Sequence, residues 1–223
     1  MYLELPQFLT EGERQAALRL AAEGSFADGR GSASGAAAAV KLNDQLATTP
    51  EQSRKLDEIM SAAVGRRPEL HAFSQAKLMR GPMLSRYRPG MRYGRHLDSP
   101  VMSQGQAMRT DVSMTVFLSE PESYDGGALI LDTAYGEIEC KPAAGDAAAY
   151  YTEVIHEVEE VTRGERLDIV TWFQSRVPDP QQRYVLFDLN VAHASLAQRA
   201  PNDPGLERLG KVLDNLTRQW SDV

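Results

Sequence analysis

Residues 84–98, LSRYRPGMRYGRHLD, contain two short runs of strand-forming residues separated by a turn. The runs are residues 84–88 and 92–97, and the Pro89-Gly90 pair between them is a strong turn signal. The same alternation continues along the chain and predicts six further strands, at residues 111–118, 128–131, 136–140, 147–151, 154–161 and 167–173. Because no helix-length segment separates these eight strands, they indicate an antiparallel β-sandwich or barrel.

Helices are predicted on both sides of the β region. Thr10 with Glu13, and Thr49 with Gln52, have the spacing of a capping box, in which two side chains satisfy backbone N–H groups of the first helical turn. After Pro180 the chain is again predicted to be helical. The sequence therefore predicts three parts: an N-terminal helical segment at 1–73 that packs on the core, a β core at 74–177 and a C-terminal helical extension at 178–223.

The last predicted helix, which opens at Asp203-Pro204, carries a stripe of large apolar residues on one face. The stripe consists of Leu206, Leu209, Leu213, Leu216 and Trp220. It must be covered, because five large apolar side chains in water would form a patch that monomers rarely expose. Docking on the same subunit is the favoured arrangement, and a homodimer built by the two helical additions is the alternative.

Composition and charge exclude several classes of protein. No apolar run approaches the ~20 residues of a membrane span, and residues 1–8 lack the layout of a signal peptide. The net charge of −7 argues against a nucleic-acid-binding protein. Cys140 is the only cysteine, so an intrachain disulfide and a thiolate zinc site are ruled out. A reducing, cytoplasmic setting is expected.

A metal site is indicated by His96 and Asp98, which lie two residues apart at the end of a predicted strand. Their side chains therefore point to the same face of the sheet. A third ligand must come from elsewhere, and His156, within the predicted strand 154–161, is the obvious candidate. Two histidines and one carboxylate on one face of a metal leave the opposite positions open, which is the layout of non-haem Fe(II) oxygenases.

Arg166 stands ten residues after His156 and opens the predicted strand 167–173. In a simple hairpin turning at Gly164, Arg166 would lie ~20 Å from His156. In a jelly roll, consecutive strands often belong to opposite sheets, and Arg166 can then face the metal. Its planar guanidinium would suit a carboxylate, because it can bind both oxygens. Arg163, on the turn, better fits an exposed arginine.

Several segments together resemble one known family. The spacing of Tyr87, Gly90, Tyr93, His96 and Asp98 is similar to that in prolyl-hydroxylase-like 2-oxoglutarate oxygenases. A longer similarity, to the bacterial PKHD-type hydroxylases, covers nearly the whole chain. It is carried by RTDVS at 109–113, FLSEP at 117–121, YDGG at 124–127, VTRGER at 161–166, WFQS at 172–175 and LFDL at 186–189.

The resemblance implies a mainly β fold with flanking helices and a double-stranded β-helix (jelly-roll) core. It implies that His96, Asp98 and His156 bind Fe(II). Arg166 would bind the distal carboxylate of the cosubstrate 2-oxoglutarate, and Tyr87 would add a hydrogen bond to it. The implied enzyme is a 2-oxoglutarate-dependent dioxygenase, which uses O₂ to hydroxylate an unactivated C–H and releases succinate and CO₂. L-Ascorbate, which re-reduces stray ferric iron in related enzymes, is the expected activator.

The primary substrate and two other classes of function stay open at this point. The substrate is a peptidyl residue, an amino acid or another small metabolite. A metal- or sugar-binding jelly roll without turnover would keep the β pattern but would not need Arg166. A zinc hydrolase could use the same ligands, yet no glutamate has the helical spacing of its general base. Residues 27–39, rich in Gly, Ser and Ala, are expected with the loop 99–108 at the pocket entrance, as a lid or a simple loop.

Overall fold

The computed structural model describes residues 1–103 and 106–222, and β-strands and six α-helices build its fold. The helices are α1 (Glu11–Glu23), α2 (Gly35–Ala39), α3 (Pro50–Gly65), α4 (Pro68–Ser74), α5 (Pro180–Arg199) and α6 (Gly205–Trp220). The strands are β1 (Tyr2–Leu5), β2 (Phe26–Asp28), β3 (Lys41–Leu42), β4 (Asp44–Leu46), β5 (Ala76–Met79), β6 (Met83–Tyr87), β7 (Arg92–His96), β8 (Val101–Met102), β9 (Met108–Arg109), β10 (Val112–Phe117), β11 (Asp125–Gly126), β12 (Leu129–Thr133), β13 (Gly136–Cys140), β14 (Ala147–Tyr151), β15 (Ile155–Val158), β16 (Val161–Arg163) and β17 (Arg166–Ser175).

Two antiparallel sheets form the core of the molecule. The larger sheet has the order β1-β14-β10-β17-β6-β4-β2, with β5 also paired to β17, and the smaller sheet has the order β13-β12-β15-β7-β3. β15 belongs to the smaller sheet and β17 to the larger, so the chain crosses between the sheets from His156 to Arg166. This two-sheet core with flanking helices is the jelly-roll architecture expected from the sequence.

The predicted strands agree with the observed ones, with one exception. β13 and β14 begin and end where the sequence predicts. The predicted strand 154–161 was wrong, because it forms two separate strands, β15 and β16. The backbone N–H of Glu159 donates to the carbonyl of Ala128, and β16 then pairs with β11 in a small ladder of its own.

The larger sheet is covered on its outer face by helices and on its inner face by the smaller sheet. Along β10, Val112, Met114 and Val116 pack against α1, α3 and α4, whereas Phe117 lies in the apolar layer between the sheets. β14 alternates in the same way, since side chains point to opposite faces of a strand with a period of two. Both strands are therefore buried on both faces.

Both predicted capping boxes are confirmed. The Oγ1 of Thr10 accepts the backbone N–H of Glu13 at 3.3 Å, while the Glu13 carboxylate accepts the backbone N–H of Thr10 at 2.9 Å. Thr49 and Gln52 repeat this exchange at 3.2 and 2.9 Å. These contacts fix the starts of α1 and α3, the two helices that pack side by side on the outer face of the larger sheet.

The segment 1–73, predicted as a helical segment that packs on the core, supplies strands as well as helices. β1 pairs with β14, β4 pairs with β6, and β2 pairs with β4, all within the larger sheet. β3 pairs with β7 in the smaller sheet. These strands have two to four residues each, too few to show the period-two pattern by which strands are recognised in a sequence.

The two C-terminal helices pack on each other and on the β core. Leu213 and Trp220 of α6 pack with Leu186 of α5, so the apolar stripe docks within the same chain. Arg183 connects α5 to the β core, because its Nη1 lies 3.5 Å from a carboxylate oxygen of Asp111, the residue before β10. None of the helices in the described ranges has both the length and the apolar composition that crossing a bilayer requires.

Candidate active site

The structure brings the three predicted metal ligands together. His96 ends β7 and His156 lies on β15, and the two residues are direct partners across the antiparallel ladder. One ligand atom from each histidine and one from Asp98 lie within 4.8 Å of one another. The Nε2 atom of each histidine is 3.7 Å from a carboxylate oxygen of Asp98. All three side chains are largely buried, so the cluster is shielded from bulk water.

Each imidazole is oriented by a backbone carbonyl. The Nδ1 of His96 lies 2.8 Å from the carbonyl oxygen of Gly94, and the Nδ1 of His156 lies 2.9 Å from that of Val154. Since a carbonyl can only accept, Nδ1 carries the proton of a neutral ring and Nε2 keeps its lone pair. This is the usual outer support of a metal-binding histidine.

Asp98 is oriented by two donors that the sequence analysis missed. The Oγ of Ser113 and the Nε1 of Trp172 each donate to its Oδ2, both at 2.8 Å. Ser113 lies on β10 and Trp172 on β17, which are neighbours in the larger sheet, whereas Asp98 follows β7 of the smaller sheet. The two sheets thus converge on one carboxylate. Only the order of the strands in space reveals this, although both residues lie in segments that carry the family resemblance.

The protonation states of the cluster suit a divalent cation. Burial by itself raises the pKa of Asp98, but hydrogen bonds and the nearby histidines outweigh it and hold this pKa well below its usual value. Burial lowers the pKa of His156, and the adjacent Asp98 only partly opposes it. Near neutral pH the site therefore presents a carboxylate and a neutral imidazole at these positions, which are the forms that bind metal.

Arg166 is fully buried at the start of β17 and has one edge unsatisfied. Its Nη1 pairs with Asp168, whereas Nε and Nη2 have no hydrogen-bond partner among the described residues. Nε–H and one N–H of Nη2 point in parallel from one edge of the guanidinium, so they can bind both oxygens of a carboxylate. A buried pair of donors without an acceptor is costly, so this edge fits a ligand carboxylate such as that of 2-oxoglutarate.

Tyr87 lies beside Arg166, as its direct partner on the neighbouring strand β6. The guanidinium carbon is 5.0 Å from the centroid of the Tyr87 ring. Burial raises the pKa of Tyr87 above its usual value, so its hydroxyl stays protonated and able to donate. Arg163, by contrast, is exposed at the turn and pairs with Asp125 at 2.7 Å. The structure therefore places Arg166, and not Arg163, beside the cavity.

Gly127 gives Arg166 the room to be buried. This glycine has a φ of +64°, which residues with side chains rarely adopt. A Cβ added to it would lie 2.8 Å from the Cγ2 of Val161 and 3.3 Å from the Cδ of Arg166. The Gly126-Gly127 pair, part of the YDGG segment that carries the family resemblance, thus also shapes the arginine site.

One cavity between the sheets joins the five predicted site residues. Residues of the segment 27–39 also line it, among them Ser32, Ser34 and Ala37. This segment is ordered as β2, a 3₁₀-helix at Gly29–Ser32 and α2. Of the loop 99–108, Ser99 and Met102 line the cavity, and residues 104 and 105 lie outside the described ranges. The described residues that line the cavity include no glutamate, so they do not provide the glutamate general base expected of a zinc hydrolase.

Replacing Trp172 with phenylalanine should weaken Fe(II) binding about 10- to 100-fold, because Asp98 loses one of the two donors that orient it. Metal affinity is measured by competition against a chelator of known strength. Trp220→Phe is the matched control, since Trp220 lies on α6 and belongs to the packing of the C-terminal helices. Unchanged affinity in both Trp172→Phe and Ser113→Ala would contradict the role given to these donors.

Two family models match the chain side by side. Residues 82–174 match the 2OG-Fe(II) oxygenase superfamily, and residues 180–222 match the PKHD-type hydroxylase C-terminal domain. Among curated proteins, a PKHD-type hydroxylase of Thermosynechococcus vestitus is 40% identical, with 100% of each chain covered. A second, of Maricaulis maris, is 42% identical over 91% of each chain.

Solved structures show the same fold. A prolyl-4-hydroxylase of Pseudomonas putida is 25% identical, covers 78% of this chain and 92% of its own, and superposes with a TM-score of 0.57. The epimerase SnoN from nogalamycin biosynthesis, described as α-ketoglutarate-dependent, is 17% identical and superposes with a TM-score of 0.55. It covers 79% of this chain and 77% of its own. At that identity the likeness concerns the fold alone.

Proposed function

Since the chain belongs to the PKHD-type hydroxylases of the 2OG-Fe(II) oxygenase superfamily, we propose that the cavity between the sheets is its active site. The protein is an Fe(II)- and 2-oxoglutarate-dependent dioxygenase, a hydroxylase. In the proposed site His96, Asp98 and His156 hold the iron. One observation supports this site above all: the ligand cluster and the unsatisfied edge of Arg166 line the same cavity.

The chain's own residues bind, orient and shield the reactants in this proposal. Arg166 and the hydroxyl of Tyr87 receive the distal carboxylate of 2-oxoglutarate, which sets the direction in which the cosubstrate points. Asp98 stays ionised through Ser113 and Trp172 and supplies the one negative ligand. The bound Fe(II) supplies the redox chemistry with O₂ by which 2-oxoglutarate becomes succinate and CO₂ and a substrate C–H becomes C–OH. The surrounding apolar layer keeps bulk water away.

Further details of the activity are part of the same proposal. L-Ascorbate is proposed as an activator, because iron left in the ferric state would need a reductant before the next turnover. The oxidised group is an unactivated C–H of a peptidyl residue, an amino acid or another small metabolite. A cytoplasmic location is proposed from the lone, buried Cys140, which suits a reducing compartment.

Succinate formation tests turnover directly. We expect the protein with Fe(II), 2-oxoglutarate and O₂ to form succinate, slowly without the primary substrate and faster with it. Omitting O₂, or replacing Fe(II) with Zn(II), which cannot change oxidation state, should stop the reaction. A non-catalytic jelly roll that binds a metal or a sugar would bind Fe(II) yet form no succinate. That outcome would favour the alternative function.

A homodimer remains a proposal. The stripe on α6 packs within its own chain, but Tyr184 and Val191 of α5 and Val212 of α6 are still exposed. If the helical additions join two subunits, the intact protein should behave as a dimer at micromolar concentration, and a form ending at Ala200 as a monomer. Light scattering coupled to size exclusion makes the comparison. An intact protein that stays monomeric over this range would remove the proposal.

A further inference from the structure

Lys41 is a buried lysine in the wall of the active-site cavity. It lies on β3, the edge strand of the smaller sheet, and pairs with Tyr93 of β7. Its neighbours Val40 and Leu42 are 39% and 47% exposed, whereas Lys41 is 7% exposed. This alternation shows that the strand turns the lysine side chain towards the cavity.

The ammonium group of Lys41 contacts Ser32, in the segment 27–39, and the ring of Tyr93. Its Nζ donates to the Oγ of Ser32 at 2.8 Å and lies 4.9 Å from the centroid of the Tyr93 ring. The Tyr93 ring stacks on the ring of His96 with a centroid distance of 3.6 Å. A single aromatic ring therefore separates the ammonium from a proposed iron ligand.

Ser32 positions the ammonium without neutralising it. The Ser32 hydroxyl donates its own proton to the carbonyl of Gly29 at 2.9 Å, so it meets Lys41 only as an acceptor. An ammonium has three N–H donors, and this contact uses one of them. The described residues leave the other two donors without an acceptor, so these can bind a group that enters the cavity.

No described carboxylate lies within salt-bridge distance of Lys41. Asp98 and Asp168 are the two carboxylates whose charges act on Lys41, and both already have partners. Asp98 accepts a hydrogen bond from Trp172 and lies beside the two histidines, and Asp168 pairs with Arg166. Burial lowers the pKa of Lys41 to about 8, although these two carboxylates oppose the shift. A buried lysine without a counter-ion is rare and costly, so an anion brought by a ligand would complete the site.

We propose that Lys41 binds a carboxylate of the primary substrate, which makes that substrate a compound with a free carboxylate group. This inference rests on the proposed function, in which Arg166 binds the distal carboxylate of 2-oxoglutarate and the rest of the cosubstrate would extend towards the metal-ligand cluster. Lys41 lies on the other sheet from Arg166, yet both residues line the same cavity, through which the primary substrate must reach the metal-ligand cluster.

Nuclear magnetic resonance of lysine Cε atoms tests the proposal without requiring the true substrate. The chain has five lysines, and the Lys41 signal is assigned by its loss in Lys41→Arg. The protein is loaded with Zn(II) and 2-oxoglutarate, which together allow no turnover. It is then titrated with acetate and N-acetylglycine, and in parallel with acetamide and N-acetylglycinamide at matched ionic strength.

We expect each carboxylate, and neither amide, to shift the Lys41 signal saturably and to raise the pKa of Lys41 by about one unit or more. Lys41→Met should weaken binding of N-acetylglycine about tenfold or more, and Lys41→Arg should restore most of it, because arginine keeps the charge. Lys55→Met is the matched control, since Lys55 is an exposed lysine of α3, and it should bind N-acetylglycine as the unaltered protein does.

Three results would overturn the inference, and they are distinguishable. If no carboxylate moves the Lys41 signal while Zn(II) and 2-oxoglutarate bind normally, Lys41 does not recognise this group. If 2-oxoglutarate alone raises the pKa of Lys41 and Lys41→Met weakens its binding about tenfold, the carboxylate belongs to the cosubstrate. If Zn(II) and 2-oxoglutarate do not bind at all, the proposed function fails and this inference fails with it.

Discussion

Replacing His156 with alanine is expected to abolish stoichiometric Fe(II) binding and succinate formation together. The change removes one of three ligand atoms that lie within 4.8 Å of one another, and nothing else in the described cluster can replace it. Calorimetric titration with Fe(II) under nitrogen measures binding, and succinate release measures turnover. The β core should stay folded, because the ladder between β15 and β7 is made by backbone groups.

Two further variants complete this test. His156→Gln keeps most of the side-chain volume but supplies a poor metal ligand, so it separates loss of iron from loss of packing. His71→Ala is the matched control, because His71 is exposed on α4, away from the cavity. A folded His156→Ala protein that still binds one equivalent of iron and forms succinate at the normal rate would refute the ligand assignment.

Replacing Arg166 with alanine is expected to leave iron affinity nearly intact while 2-oxoglutarate binds far more weakly. A charge-assisted contact to both carboxylate oxygens is worth ~2–3 kcal/mol. At ~1.4 kcal/mol per factor of ten, the apparent dissociation constant should rise roughly 30- to 150-fold. Titration of the Zn(II)-loaded protein with 2-oxoglutarate measures this change without turnover.

Because Arg166 pairs with Asp168, the experiment needs a control in which Asp168 is changed as well. Alanine at 166 alone leaves Asp168 buried without its partner, which typically costs ~3–5 kcal/mol of stability. The double variant Arg166→Ala/Asp168→Asn removes this unpaired charge and should still bind 2-oxoglutarate weakly. Arg163→Ala should change binding little, because Arg163 pairs with Asp125 at the surface. If the Arg163 variant lost binding and the Arg166 variant kept it, the assignment would be reversed.

The parts of the site that could be predicted are those governed by short-range periodicity. The alternation of side chains along a strand predicted that His96 and Asp98 lie together, although β7 ends at His96 and Asp98 lies two residues beyond it. Arg166 could be placed opposite His156 once a jelly roll was assumed, because the strand order then carries the chain from one sheet to the other. These inferences need only local spacing and a single rule of topology.

The parts that were missed depend on contacts between strands distant in sequence. Ser113 and Trp172 reach Asp98 because β10 and β17 are neighbours in the opposite sheet. Lys41 enters the cavity because a strand of two residues pairs with β7. Neither arrangement produces a regular spacing of residues that could be recognised in the sequence. The break after β15 was missed for a similar reason, since β16 finds its partner in β11, well outside any local window.

The strands contributed by residues 1–46 have a consequence for how this protein can be shortened. A fragment starting at residue 74 would leave β14 without β1, β6 without β4 and β7 without β3. Three rows of backbone N–H and C=O groups would then become open edges, and such edges readily pair with other chains. We expect a fragment of this kind to self-associate into β-rich aggregates, so the N-terminal strands also act as protection against misassembly.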